Sequence, residues 1–470
     1  MRHELNIHQQ PAERGGPTMQ NTSSTHKLEL LLNIASFLSI FQFYVIRLGG
    51  VYLQVYMVFM YWMLLSTFGK RKGWTGIEAF AAALIAFQAI SIVWAKNPGT
   101  GIREIFFLLP FLIALRAAVE LATQDPAALR RAAIMYLKIA AVHSALIIIG
   151  RVAPPAKIAF LNSPLSSIFI NPNTLNDTNV YLTGSNIRDP GKSGGFLINA
   201  NVAGAWSLLT FHLAAALYFV DRQSILKWLA LIHFLAAICC GSKLSLLCIP
   251  VGFMFSLAFV STSMGPDPLK RAAIAVLGCF SISAASLAIY ASGILAHTPY
   301  RLVAPFEARM VTWGFGAKEF FKSPLLGHGY GGWTESFSRS GEVRLDLGLT
   351  QFSAPQNTFI QLWSQSGIIA AAIGIIFVSA TICTISRIRA TPSRAAPFFL
   401  ASGVFCFFFQ GMAENYGLFG ETHIQQLLVL TLAVIISLSI PANKAGSTYL
   451  SEENRTEGKK MHANETRPAV

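Results

Sequence analysis

The side chains best suited to chemistry are four cations that lie between long apolar segments. Arg188 is part of "SNIRDPGKSGG", Lys243 of "CGSKLS", and Arg301 and Arg309 of "YRLVAPFEARMVTW". A guanidinium binds a pair of phosphate oxygens through two parallel hydrogen bonds, so several cations together suit a lipid-linked pyrophosphate. For each cation alone, a headgroup anchor or a structural ion pair is an equally good interpretation.

A second candidate is the glycine-rich stretch "SPLLGHGYGGW" at residues 323–333, in which His328 lies between Gly327 and Gly329. A dinucleotide fingerprint would need a strand before the glycines and a helix start after them, and neither is evident. Glycine is favoured where φ is positive, so we predict a backbone turn first and a phosphate-binding nest second. The ordinary pKa of histidine suits proton transfer, which makes His328 a candidate base, although a hydrogen-bonded spacer is the commoner role.

Motifs for nucleotide-dependent or metal-dependent chemistry are missing from the sequence. It has no Walker A motif, no H-E-x-x-H, no G-x-S-x-G and no close pair of aspartates for Mg²⁺. Six cysteines lie in apolar segments without a C-x-x-C pair, which favours a packing role. We therefore expect neither a metal nor a cofactor.

The composition is that of a membrane protein. Of the 470 residues, 53% are hydrophobic and only 12% are charged, against roughly 25% charged in a soluble domain. Continuous apolar runs of about 17 to 25 residues recur, and each can cross a bilayer as a helix. This pattern predicts an all-α polytopic membrane protein. The net charge of +14 is spread over short connections, which argues against nucleic-acid binding.

About twelve apolar runs qualify as transmembrane helices within a membrane domain at residues 29–441. They are residues 30–46, 51–68, 77–94, 105–121, 132–149, 202–220, 228–240, 244–260, 272–295, 358–385, 398–412 and 424–440. We predict disordered tails at residues 1–28 and 442–470. Two long connections, 150–201 and 296–357, join the spans, and the aromatic residues of the second predict that it folds, partly as a helix.

Basic residues set the expected orientation. Short basic connections follow even-numbered predicted spans, as in "KRK" at residues 70–72, and this places their side of the membrane in the cytoplasm. Both tails are then cytoplasmic, and the two long connections face outward.

Polar side chains within or beside the predicted spans are costly in hydrocarbon and are functional suspects. Lys138 is near a cytoplasmic end and can extend to the interface, and His143 is better explained as a satisfied interior histidine. His233 is a further suspect. Glu414 is near the outer mouth, where it could face one cavity with Gln356.

The order of motifs in the second half resembles a known family. Arg309, Trp313, "SPLLGHGYG" and "PQNTFIQLWSQSGI" follow one another as in the signature region of the O-antigen ligase and polymerase family. Arg188 followed by "GGFLINANVAGAWSLL" is similar to that family's arginine, glycine and asparagine segment, and "GSKLSLL" is similar to its serine-arginine turn. The resemblance covers roughly residues 180–440.

This resemblance implies a metal-independent membrane glycosyltransferase on the periplasmic face of the bacterial inner membrane. The donor would be an undecaprenyl-pyrophosphate-linked glycan, and the acceptor would be lipid A core or a second lipid-linked glycan. Pyrophosphate is a good leaving group, so it needs cations, whereas the acceptor hydroxyl benefits from a base. The residues implied as catalytic are Arg188, Arg309, His328, Gln356 and Asn357. Those implied in substrate binding are Lys243, Arg301, Gly327, Gly329 and Trp313.

Two positions depart from the family pattern. Gln356 stands where members commonly have histidine, and a glutamine amide cannot accept a proton at neutral pH. Lys243 stands where arginine is usual, so the charge is kept without the two-pronged geometry. His328 is then the nearest alternative base, and Glu319 is a weak one because Lys318 and Lys322 could neutralise it.

The chemistry is the same for a ligase and for a polymerase, which differ in the acceptor. The tract 309–368 resembles ligases slightly more, so we favour a ligase. A transporter or flippase for lipid-linked glycans is an alternative of a different class. It is less favoured because the two halves show no repeat and the informative residues lie in outward connections.

Overall fold

A computed structural model describes residues 19–48, 51–67, 73–172, 175, 189–197, 199–262, 303–344, 349, 353–388, 395–414, 417–420 and 422–440. This part of the chain is predominantly helical, as predicted. Its strands, β1 (Ile46–Leu48) and β2 (Val51–Leu53), form an antiparallel hairpin in which Arg47 lies opposite Tyr52.

The helices of the described residues are named α1 to α15 in chain order. They are α1 (Met19–Phe41), α2 (Val55–Thr67), α3 (Gly76–Ser91), α4 (Pro98–Gln124), α5 (Pro126–Val152), α6 (Pro154–Leu161), α7 (Ser166–Phe169), α8 (Ala200–Asp221), α9 (Ser224–Cys239), α10 (Lys243–Thr262), α11 (Val303–Lys322), α12 (Trp333–Ser338), α13 (Thr358–Ser386), α14 (Ala395–Gly411) and α15 (Thr422–Ser439). Short 3-10 turns lie at Ile92–Trp94 and Gly195–Leu197.

Six helical segments in the described residues are long and apolar enough to cross a membrane, namely α3 with its 3-10 turn, α4, α5, α8, α13 and α15. Shorter apolar segments lie in α2, α9, α10 and α14. These helices make the chain a membrane-embedded protein. Each predicted span except the ninth overlaps one helix. The ninth, 272–295, lies outside the described residues, so a total of twelve stays a prediction.

The beginning of the fold differs from the prediction. Helix α1 starts at Met19, inside the stretch predicted as a disordered tail, so residues 19–28 are helical. Leu28, Leu31 and Leu32 are buried at helical spacing, and this apolar face packs against α5 and α4. The hairpin also occupies Ile46 and residues 51–53, which were predicted to lie in the first two spans. Residues 1–18 and 441–470 are outside the described residues.

Local sequence signals explain where the helices begin. Thr75 and Glu78 form a capping box at α3, in which each side chain accepts a hydrogen bond from the other's backbone N–H. Asn97 caps α4, whose first residue is a proline, and Asp125 caps α5 in the same way. Such caps satisfy the free N–H groups of the first turn.

Helix α15 lies at the centre of the fold. Of its most apolar 18-residue window, 89% is buried, and it packs against α4, α13, α5 and α1. By contrast, only 28% of the corresponding window of α13 is buried, so α13 lies at the periphery. Helix α13 is also broken at Gly367, where φ is 72° and ψ is −173°. The break exposes backbone carbonyls to partners from other segments.

Candidate functional site

Arg309, on α11, is held by the connection that follows α14. Its Nε donates a hydrogen bond to the carbonyl oxygen of Ala413 at 3.1 Å, and a terminal nitrogen lies 3.1 Å from Oε1 of Glu414. Glu414 is only 6% exposed. Nδ2 of Asn201 donates to the same Glu414 oxygen at 2.7 Å. Glu414 therefore joins the start of α8, the first half of α11 and the end of α14.

Two lysines, Lys192 and Lys243, belong to the same site as Arg309. Lys192, in the segment before α8, is half-buried, and burial lowers the pKa of its ammonium below the ordinary value. The charges of Asp189 and Glu414 oppose that shift, while those of Lys243 and Arg309 reinforce it. The charges of Lys243 and Arg309 thus both act on Lys192, and we call Lys192, Lys243 and Arg309 the cation cluster. Such a cluster would favour a ligand with several negative charges.

Glycines explain why the turn before α10 reaches Lys192. Gly241 has φ of 74°, and a Cβ there would overlap the carbonyl oxygen of Gly191. The backbone N–H of Ser193 donates to the carbonyl oxygen of Cys240 at 3.0 Å. Two segments about fifty residues apart in sequence thus touch through bare backbone, which places Lys243 beside the segment before α8.

Gln356 follows Pro355, which accepts a hydrogen bond from a side chain of α11. Thr312 lies one helical turn after Arg309, and its hydroxyl donates to the carbonyl oxygen of Pro355 at 3.2 Å. Gln356 itself has φ of 49°, a left-handed conformation that is unfavourable for a residue with a Cβ. Gln356 thus directly follows a residue that is hydrogen-bonded to α11 one helical turn from Arg309.

Asn357 has a structural role that explains its residue type. It is the N-cap of α13, and its Oδ1 accepts hydrogen bonds from the backbone N–H groups of Phe359 and Ile360 at 3.0 Å each. The side chain is largely buried, with 7% exposed. The first turn of α13 therefore occupies Oδ1 of Asn357, the side-chain oxygen that a catalytic role would need.

The glycine-rich stretch forms a turn that is wedged between α13 and the start of α4. Gly327 and Gly329 have φ of 67° and 93°, and a Cβ at either position would overlap backbone atoms of Gln365 or Ala95. The N–H groups of His328 and Gly329 donate to carbonyl oxygens that the break in α13 leaves available. Every N–H from Gly327 to Gly332 has an acceptor within the protein. These bonds favour the turn interpretation over a phosphate nest.

His328 lies away from the cation cluster. Its environment includes Glu319, Lys322 and Lys96, and the ten residues from Arg309 to Glu319 span about 15 Å of helix axis. Both ring nitrogens are buried without a hydrogen-bond partner among the described residues. Burial lowers the pKa of His328 to about 4, opposed by Glu319 and reinforced by the two lysines. The ring is therefore neutral at pH 7 and a weak base.

The remaining predicted site residues fall into two groups. Arg188 and Arg301 lie outside the described residues. Trp313 is half-buried on α11, one turn from Arg309, with its indole N–H buried and lacking an acceptor among the described residues. Glu319 is buried and forms an ion pair with Lys322, as the flanking lysines suggested. Lys318 pairs instead with Glu342, at 2.6 Å.

Histidines inside the helices contact their neighbours. Nε2 of His143 accepts a hydrogen bond from the backbone N–H of Phe196 at 3.1 Å, which confirms the prediction of a satisfied interior histidine. Nδ1 of His233 lies 2.7 Å from the hydroxyl of Ser144. Both rings thus hold helices together outside the cation cluster, and in the described residues no group of three or more His, Cys, Asp or Glu could hold a metal ion.

Lys192 and Asn201 were missed as site residues. Lys192 could have been recognised, because it is a cation in the glycine-rich stretch "GKSGG", four residues after Arg188. Asn201 follows Asn199, which caps α8 by accepting from the backbone N–H of Asn201 at 2.9 Å. In "NAN" the first asparagine serves the helix start, and the second is free to reach Glu414. No local pattern separates these two roles.

The fold and this site define a membrane-embedded, all-α protein with a cluster of cations at one end of its helices. No protein-family model matches the chain, and no curated protein matches it significantly. Its function must therefore be inferred from the chemistry of the site.

Proposed function

We propose that the protein is a membrane glycosyltransferase of the O-antigen ligase or polymerase type, which transfers a glycan from undecaprenyl pyrophosphate to an acceptor hydroxyl. The observation that carries the proposal is the cation cluster built around Arg309 and Glu414. Three residues of segments that the sequence resemblance singles out, Asn201, Lys243 and Arg309, belong to this site or border it although they are distant in sequence.

The charge of the cluster suits the proposed leaving group. Negative charge on the pyrophosphate grows as the glycosidic bond breaks, and cations fixed in advance stabilise that charge without reorganising. Arg309 is fixed by two hydrogen bonds to the connection after α14, and Lys192 and Lys243 add positive charge nearby. In this proposal the three cations bind the pyrophosphate and stabilise the transition state.

Glu414 acts through Arg309 in this proposal. It accepts hydrogen bonds from Arg309 and Asn201, so it sets the direction of the guanidinium and ties it to α8. Gln356 contributes a hydrogen bond and not a base, because its amide cannot take a proton. His328 supports the turn that docks on α13 and does not act on the substrate.

The arrangement of charges supports the expected orientation. The cation cluster lies at the start of α8, while Arg130 pairs with Asp221 at its other end at 3.1 Å. The 22 residues of α8 span about 33 Å, which is close to the thickness of a hydrocarbon core. In the proposed topology the basic end with Arg130 is cytoplasmic and the cation cluster faces the periplasm of the inner membrane.

The test is a strain that lacks this protein, with its lipopolysaccharide and lipid-linked glycans resolved by size. We expect long glycans to accumulate on the polyprenyl carrier and the lipid A core to be bare, as for a ligase. Accumulation of single repeats on the carrier would instead identify a polymerase. Glycan trapped on the cytoplasmic face, with transfer intact, would contradict both and identify a transporter.

A further inference from the structure

An apolar cavity lies at the end of α8 that is opposite the cation cluster. Its volume is about 420 Å³, within the range of small-molecule sites, and its walls are side chains of α8, α9 and α10. Phe211, Phe234 and Phe253 line it, and Tyr218 and Lys227 lie nearest the membrane–water boundary expected at this end. The cavity can therefore take a hydrocarbon chain but offers almost no polar partner inside.

Two cations lie at this end of α8. The Nζ of Lys227 is 5.9 Å from the ring centre of Tyr218, and the guanidinium carbon of Arg222 is 5.3 Å from that of Phe219. Both rings line the cavity. Neither cation forms an ion pair with any described residue, whereas nearby Arg130 is paired with Asp221. The end of the cavity thus presents two cations beside aromatic rings.

The cavity is continuous with an apolar surface. Trp228, Leu231 and Leu235 are 66%, 45% and 43% exposed and lie on one face of α9, and Leu231 also lines the cavity. In a membrane-embedded protein such a face contacts lipid. An exposed tryptophan beside cations is typical of the membrane–water interface. A lipid could thus enter from the bilayer without opening the fold.

We propose that this cavity binds one anionic phospholipid of the surrounding membrane, with an acyl chain inside and the headgroup phosphate on Arg222 and Lys227. The apolar walls select the chain, and the two cations select the negative charge. Along α8, Arg222 lies about 30 Å from Asn201 and the cavity residues Phe211 to Phe219 lie about 15 to 27 Å from it. The site is therefore separate from the proposed glycan site and does not depend on its function.

The test uses the full chain in detergent, titrated with phosphatidylglycerol or with phosphatidylcholine of the same acyl chains, and counts bound lipids by native mass spectrometry. We expect one phosphatidylglycerol to bind about tenfold more tightly than phosphatidylcholine. Arg222→Gln with Lys227→Gln should abolish that preference and leave phosphatidylcholine binding unchanged. Lys138→Gln, which removes an exposed cation from α5, is the matched control and should keep the preference.

A second variant tests the cavity itself. Ala230→Phe fills the space between α8 and α9, and it should weaken both lipids to a similar extent. If this variant does not fold, Leu231→Gln, which places an amide at the exposed wall, replaces it with the same expectation. Equal binding of the two lipids to the wild type, or a preference that survives the double glutamine variant, would overturn the proposal.

Discussion

The two ends of helix α11 differ in the kind of contact that surrounds them. At the Arg309 end, charged side chains from three other segments converge on one place. At the Glu319 end, bare glycine backbone fills the space between α13 and the start of α4. The sequence motif with the more conspicuous residues, the glycine-rich stretch around His328, lies at the second end.

This difference separates a candidate binding site from its support. A ligand with negative charge is attracted to the Arg309 end, where Lys192 and Lys243 add to the positive charge. At the other end, every N–H of residues 327–332 is already used, so the backbone cannot bind a phosphate without breaking the turn. The turn fixes the position of α13, and α13 fixes Gln356.

The largest expected effect is a loss of stability at the Glu319 end of α11. In Gly329→Ala the new Cβ would overlap the backbone of Ala95 at a φ of 93°, so we expect the free energy of unfolding to fall by about 3 kcal/mol. Gly314→Ala on α11 meets no atom within 4 Å and is the control, which should be slightly stabilised. Thermal unfolding in detergent measures both. Equal stability of the two variants would show that the turn is not tightly docked.

The next largest expected effect is a loss of glycan transfer from a change at the Arg309 end of α11. Glu414→Gln removes the charge that holds Arg309 and leaves a hydrogen-bonding side chain, so we expect glycan transfer to fall by about a hundredfold, mainly in kcat. Glu319→Gln changes a buried carboxylate at the other end and should leave transfer within a few fold of wild type. Transfer by the reconstituted proteins is measured at equal folded fraction. Similar losses in both variants would remove the distinction between the two ends.

The smallest effect is a pH dependence of stability. Between its folded pKa of about 4 and the ordinary 6.5, His328 takes up a proton only in the unfolded state, so stability is lost as the pH falls through this window. From pH 7 to 5.5 the loss from this group is about 1 kcal/mol. His328→Gln should flatten the curve by that amount. An unchanged slope in the variant would mean that His328 titrates normally in the fold.

The membrane helices could be predicted from the sequence because one physical requirement, an apolar length that matches the bilayer, produces them. The start of α1 could not be predicted in this way, since residues 19–27 are mostly polar. The helix there continues from the packed part that begins at Leu28. The hairpin after α1 was missed because its apolar β-branched residues continue the pattern of the neighbouring spans.

The candidate site was predictable in its charges and not in its contacts. Arg309 and Lys243 are recognisable in the sequence as cations between apolar runs. Their positions in the fold depend on the backbone contact at Gly241 and on the hydrogen bonds that Glu414 accepts. These contacts join segments far apart in the chain, and no local pattern encodes them. Order along the chain likewise does not show that about 15 Å of helix axis lies between Arg309 and Glu319, whose charge acts on His328.

The most direct test of the account compares the two ends in one binding experiment. Undecaprenyl pyrophosphate is titrated into the wild type, Arg309→Lys and His328→Gln, each in the same detergent. Arg309→Lys keeps the charge and loses the two-pronged grip, so we predict about tenfold weaker binding, whereas His328→Gln should bind as the wild type does. Wild-type affinity in Arg309→Lys, or a loss confined to His328→Gln, would contradict the assignment of the ligand to the Arg309 end.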